Sequence, residues 1–308
     1  VTNPARGKDV DNVAVTARNV LLLAIGVVAI SFSSILIRET DAPFLAIALY
    51  RNAMAAAVVL PLAVARHGEE LRSLRAHGWG LAALAGALLA IHFALWIPSL
   101  SYTTVAASTV LVTTHPVWVA LIGRALGERP GKRAWIGIAL SLAGAILISG
   151  GDLAVSGRAA FGDLLALLGA VTASGYYLSG RSLRRSVSLL PYVAVVYTTC
   201  ALVLAGTMLV TGTAFSGFGR DAWFMFALMA LGPQILGHTV FNYLLRDVET
   251  VVVSIAITGE PVGAALLALA FFGEVPPWAA IAGGALVLGG IYVTVSARRR
   301  SAAAIPIG

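Results

Sequence analysis

With one cysteine in 308 residues, the chain can form neither an internal disulfide nor a cysteine-based metal site, which leaves Cys200 as small apolar filler. Charge is also scarce. Asp, Glu, Lys and Arg make up 11% of the residues, against about 25% in soluble domains. The sequence also lacks any zinc-knuckle spacing, RNA-binding signature or glycine-rich phosphate loop with its lysine, so neither nucleic acid nor ATP-driven pumping is expected. There is no His-Glu-x2-His metal motif, no Gly-x-Ser-x-Gly nucleophile elbow and no acidic pair for magnesium-assisted phosphoryl transfer. An enzyme is therefore the weaker reading, and no cofactor or metal is expected.

What the chain does have is apolar residues, at 59%, with a mean hydropathy of +0.90. A hydrocarbon core about 30 Å thick needs roughly 20 apolar residues per helix. Runs of that length recur between charged or Gly/Pro-rich breaks, giving ten expected spans at 19–37, 43–65, 78–98, 103–123, 133–150, 161–180, 190–210, 222–244, 250–272 and 277–297. None alternates with period two, which argues against a β-barrel. The expected fold class is an all-α integral membrane protein. The first run follows 18 largely polar residues and lacks a convincing small-residue cleavage site, so it reads as a retained span rather than a signal peptide. The terminal "SAAAIPIG" reads as tail.

The net charge of +7 is distributed asymmetrically. With the N-terminus in the cytoplasm, 17 of the 21 basic residues fall in cytoplasmic segments and three, Arg38, Arg158 and Arg220, fall outside. The positive-inside rule predicts that bias for an even number of spans with both termini cytoplasmic.

The chain repeats itself. Pro116 is followed by Glu128, Gly137 and Gly144, and Pro261 by Glu274, Gly283 and Gly290, with an identical Glu-x8-Gly-x6-Gly pattern. His92 matches His238 more loosely, as Trp79 matches Trp223. Five spans per unit invert the second copy. The loop "GERPGKR" is then cytoplasmic with four basic residues nearby, while its twin "GEVPP" is external with none. The expected organisation is an N-terminal tail (1–18), a first repeat (19–150), a second, inverted repeat (151–297) and a C-terminal tail (298–308). Inverted repeats that exchange access to a midplane site are a transporter signature.

The segments "ASTVLVTTHPVWVALIGRALGERPGKRAWIGIALSLAGAIL" and "VSIAITGEPVGAALLALAFFGEVPPWAAIAGGALVLGGIY" resemble the twin hallmark segments of the drug/metabolite transporter superfamily, EamA branch. Within it the chain is most similar to aromatic amino-acid exporters of the YddG type. That resemblance implies a multi-pass protein of the bacterial inner membrane that exports amino acids, aromatic or large neutral ones, by alternating access. The alternative on the same fold is export of other small metabolites or cationic drugs. An intramembrane enzyme is the alternative from another class.

Ionisable side chains inside spans are costly, about 2.5–3.5 kcal/mol each at a helix centre on insertion scales, and so are functional candidates. Here they are Arg51, His92, His115, His238 and Glu260. Glu260 precedes Pro261, and His115 precedes Pro116. Each proline lacks an amide hydrogen and frees the carbonyl four residues earlier, so both sites are expected helix breaks. Thr113 and Thr114 could satisfy the Val112 carbonyl. Glu260 reads as ligand, gate or proton carrier, or else as a structural carboxylate paired with Arg51 or a histidine. Arg51 could hold a substrate carboxylate, pair with Glu260 or snorkel outward.

His92 and Trp96 share a helix face and suit an aromatic ligand, although Trp96 also fits an interface belt. Gln234, His238 and Asn242 recur every fourth residue, and Tyr176 lies in a semi-polar patch with Tyr177, Ser174 and Ser179. Glu128 and Glu274 read as structural motif residues at helix starts. Small residues in spans five and ten allow close helix packing, as scaffold or dimer contact. The expected partners are a small-molecule substrate (an amino acid) and the bilayer, with possible proton coupling and a monomer or weak dimer.

Overall fold

The computed structural model describes residues 16–103, 108, 111–127, 130–148, 157–272, 275 and 278–303, and every regular element among them is helical. In chain order these are α1 (Ala17–Arg38), α2 (Phe44–Ser73), α3 (Ala76–Tyr102), α4 (His115–Ala125), α5 (Lys132–Ile148), α6 (Gly157–Arg184) and α7 (Leu189–Thr211). There follow α8 (Arg220–Met229), a π-helical segment (Ala230–Thr239), α9 (Val240–Leu244), α10 (Thr250–Ile257), α11 (Glu260–Phe272) and α12 (Trp278–Ala303). Among the described residues, seven helices are long and apolar enough to cross a membrane. The segments expected as spans four, five and ten are helical over α4, α5 and α12, and Glu128 and Glu274 lie outside the described residues.

The sequence accounts for where these helices start and stop. Thr16 caps α1 by accepting from the Asn19 amide at 3.2 Å, satisfying one of the orphan donors of the first turn. α7 stops at Gly212, whose φ of +68° is the left-handed conformation that lacks a Cβ penalty in glycine. α2 continues beyond its expected end, with a non-helical residue at His67, and carries Glu69, Glu70 and Arg72.

Helices pair across the two parts of the chain. α3 packs along α6, α2 along α7, α5 along α12, and α1 along the π-helical segment. The α5–α12 contact consumes the small-residue faces of both helices. A Cβ at Gly144 would collide with the Gly283 carbonyl, and one at Gly290 would meet the Gly137 carbonyl at 2.7 Å. These faces are thus spent within the chain, because backbones this close leave no room for a second partner.

Candidate functional site

Two helix breaks organise the site. At the first, Thr113 and Thr114 are turn residues and α4 begins at His115. At the second, Thr258 and Gly259 are turn residues and α11 begins at Glu260. The breaks use matching hydrogen bonds: Thr114 Oγ1 donates to the Leu111 carbonyl and Thr258 Oγ1 to the Ile255 carbonyl, each at 2.6 Å. Contrary to the sequence expectation for Thr114, its hydroxyl does not serve the Val112 carbonyl. His115 Nδ1 donates to Val112 at 3.2 Å, so the residue before Pro116 answers the acceptor that the proline frees. Ser31 Oγ on α1 donates to the Glu260 carbonyl at 3.3 Å and ties the second break to α1. α10 packs against α4, so the helices that carry the two breaks touch.

Between the breaks lies a chamber of about 50 Å³. α1 contributes Ile30 and Ser33, α2 contributes Arg51, and α3 contributes His92, Phe93 and Trp96. Val112, Thr113 and His115 come from the first break, and Ala173, Tyr176 and Tyr177 from α6. The π-helical segment adds His238, and the second break adds Ile257 and Glu260.

Arg51 is 1% exposed and neither snorkels outward nor pairs with Glu260. Its Nε donates to Gln234 Oε1 at 3.0 Å and its Nη1 to Ser33 Oγ at 3.1 Å, while the guanidinium carbon lies 4.3 Å from the Phe93 ring centroid. Neutral acceptors and an aromatic face solvate the cation without cancelling its charge. Glu260, 8% exposed, lines the same chamber and likewise makes no ion pair among the described residues.

The walls are aromatic. His92 stacks on Trp96 with ring centroids 5.8 Å apart and planes 13° apart, and Tyr177 lies nearly parallel to His238 at 6.5 Å. Trp96 is 4% exposed and lines the chamber, which overturns the interface-belt alternative. His92 Nδ1 donates to the Gly169 carbonyl at 2.9 Å. A carbonyl can only accept, so in the neutral ring the Nε2 atoms of His92 and His115 are acceptors. Trp96 Nε1, His115 Nε2 and His238 Nδ1 are buried without hydrogen-bond partners among the described residues. Most buried polar groups in folded proteins are paired, so these three residues give the chamber wall unused hydrogen-bonding capacity.

Below the chamber, Asn242 Nδ2 donates to the Tyr176 hydroxyl at 2.5 Å, and Arg184 Nε donates to the Asn242 carbonyl at 3.1 Å. Arg181 Nη1 donates to the carbonyls of Leu245, Arg246 and Val248 at 2.7, 3.0 and 3.1 Å, fastening the turn after α9 to the end of α6. At the opposite end of α2, the Tyr50 hydroxyl donates to the Phe215 carbonyl, and its ring packs against Phe218, Trp223 and Phe226.

The EamA-like transporter family matches the chain twice, over residues 17–150 and 160–296. The chain belongs to that family. It is similar to an uncharacterized transporter of Archaeoglobus fulgidus, 29% identical over 225 residues, with 70% of this chain and 75% of that protein covered. It is also similar to the uncharacterized inner membrane transporter YedA of Escherichia coli strain K12, 29% identical over 173 residues covering 54% of each chain. The alignment thus spans about half of YedA. A solved crystal structure with 21% identity gives a TM-score of 0.76, covering 91% of this EamA-like transporter and 97% of that chain, a likeness of fold. The protein is a multi-pass membrane transporter.

Seven of the eight pathway residues named from sequence, Arg51, His92, Trp96, His115, Tyr176, His238 and Glu260, line this one chamber. Gln234 is set behind Arg51 and holds it. Sequence reading left Ser33 and Phe93 out. A hydroxyl at mid-span and an aromatic next to His92 were the available signals, but only packing brings both to Arg51.

Proposed function

We propose that this EamA-like transporter is a secondary carrier that exports amino acids, aromatic or large neutral ones, by alternating access. Its two halves, 19–150 and 151–297, act as inverted five-span repeats with both termini in the cytoplasm and tails at 1–18 and 298–308. The observation that carries this reading is the chamber itself: α1–α4 wall it from one half, and α6, the π-helical segment and α11 from the other. A site shared by two repeats changes sides when they rock against each other. The helix pairing supports the repeat: α1 packs on the π-helical segment of the second half as α6 packs on α3 of the first.

The chamber's aromatic walls favour a flat side chain. At about 50 Å³ it has room for roughly one or two waters, whereas small-molecule pockets occupy about 300–1,000 Å³. Admission of an amino acid therefore needs the walls to part. In this reading Glu128 and Glu274 shape the loops before α5 and α12, and the carrier works as a monomer or weak dimer.

Glu260 is the proposed proton carrier. The test is uptake of labelled tryptophan, phenylalanine, threonine and a cationic drug into proteoliposomes, with and without an imposed pH gradient. Tryptophan and phenylalanine should enter above the empty-liposome background, and Glu260→Gln should abolish stimulation by the gradient while exchange persists. Uptake of the drug alone would overturn the substrate assignment. Equal gradient stimulation in Glu260→Gln would overturn proton coupling through this residue.

A further inference from the structure

The carrier reading leaves the ligand's orientation undefined, and the polar groups around the chamber define it. Donors and acceptors come from different helices. Two donors stand away from the two breaks: the guanidinium of Arg51 on α2 and the indole N–H of Trp96 on α3, the latter buried with no acceptor among the described residues. Two acceptors stand at the breaks: the carboxylate of Glu260 and the Nε2 of His115, whose Nδ1 hydrogen is already committed to Val112. Beside Glu260, the Ile257 carbonyl has no amide donor four residues on, because that residue is Pro261.

When Glu260 is ionised, two opposite charges share a buried chamber, where they would ordinarily pair, since isolated charges are costly in low dielectric. Here they stay apart. Arg51 is fixed by Gln234 and Ser33, and the Glu260 backbone is tied to Ser31. Each charge therefore keeps its strongest valence for a third party. A lone amine would satisfy only the acceptors and a lone carboxylate only the donors. A molecule with both a carboxylate and an ammonium on neighbouring atoms offers a partner of the right kind to each of the four groups.

We propose that the chamber recognises free α-amino acids by both charged ends, with Arg51 and Trp96 Nε1 taking the carboxylate, Glu260 and His115 Nε2 taking the ammonium, and the side chain lying against Tyr177 and His238. This rests on the carrier reading above and deepens it. It makes Trp96 and His115 specificity-determining residues and excludes amines, N-acylated amino acids and simple carboxylates as good cargo.

The test is counterflow of labelled L-phenylalanine in proteoliposomes, competed by unlabelled phenylalanine, 2-phenylethylamine and 3-phenylpropanoate. In the wild type each half-ligand should compete about tenfold or more weakly than phenylalanine, because it leaves buried groups unpaired. Glu260→Gln should weaken phenylalanine and 2-phenylethylamine while leaving 3-phenylpropanoate within about twofold of its wild-type value. Trp96→Phe keeps a ring in place but removes the donor, and should weaken phenylalanine and 3-phenylpropanoate while sparing 2-phenylethylamine. It covers the carboxylate pole should Arg51→Gln fail to fold.

Phenylalanine counterflow with half-ligands that compete as well as phenylalanine would overturn the two-ended recognition alone. So would variants that shift all three compounds equally. Absence of counterflow for every amino acid tried would overturn the amino-acid reading together with it.

Discussion

Arg51 donates from Nε to Oε1 of Gln234 across 3.0 Å, joining α2 to the π-helical segment through two residues 183 positions apart. The bond orients the guanidinium without neutralising it. Gln234→Glu would put a carboxylate where the amide oxygen is and turn a neutral contact into an ion pair. Thermal stability in detergent should hold or rise, and the half-saturation concentration for phenylalanine should increase about tenfold or more, because the ligand's carboxylate then competes with a resident one.

Pro261 denies the Ile257 carbonyl its helical donor and separates α10 from α11. Pro261→Ala restores that donor. A thermal melt should report stabilisation of about 1–3 kcal/mol, and turnover at saturating substrate should fall as the two half-helices merge into one rigid rod. Faster turnover would mean that the break has no part in transport.

The α5–α12 interface tolerates no side chain at Gly144, where an added Cβ would meet the Gly283 carbonyl and lie 2.8 Å from the Val287 amide. Backbone atoms cannot swing aside. Gly144→Val should destabilise the protein by about 1–3 kcal/mol, read as a lower melting temperature. Gly206→Val, with open space around it, is the matched control and should differ little apart from the helix-propensity term.

Arg181 fastens the Leu245–Val248 turn through three carbonyls, and that turn leads directly into α10. Arg181→Gln lacks the reach and the charge to hold all three. Hydrogen–deuterium exchange over residues 244–250 should accelerate by about tenfold or more, the equivalent of losing roughly 1.4 kcal/mol of local stability. Unchanged exchange would show that the turn is held by its own backbone.

Much of this architecture was legible in the chain. A proline lacks the amide hydrogen that a helix needs, so both breaks could be placed from Pro116 and Pro261, although Pro61 and Pro98 are carried inside α2 and α3. Ionisable residues cannot face lipid cheaply, so Arg51, His92, His115, His238 and Glu260 had to point inward. The π-helical geometry at Ala230–Thr239 was not legible. The spacing of Gln234, His238 and Asn242 reads as ordinary helix, while the segment containing Pro233 is wound with one extra residue per hydrogen-bonded ring. Trp96 was ambiguous too, since an indole near the end of a span fits a belt and a cavity equally until its neighbours are known.

By itself the sequence determined the membrane-spanning class, the positions of the breaks and the set of polar side chains that must avoid lipid. These follow from local covalent chemistry and from the transfer cost of each residue. Only the tertiary structure decided that Arg51 would be held by Gln234 and Ser33 rather than by Glu260, and that the small faces of α5 and α12 would meet each other. Those outcomes depend on which distant helices pack together. A hydrogen bond needs its two atoms within about 3 Å, and one sequence alone does not encode that distance for residues more than 100 positions apart.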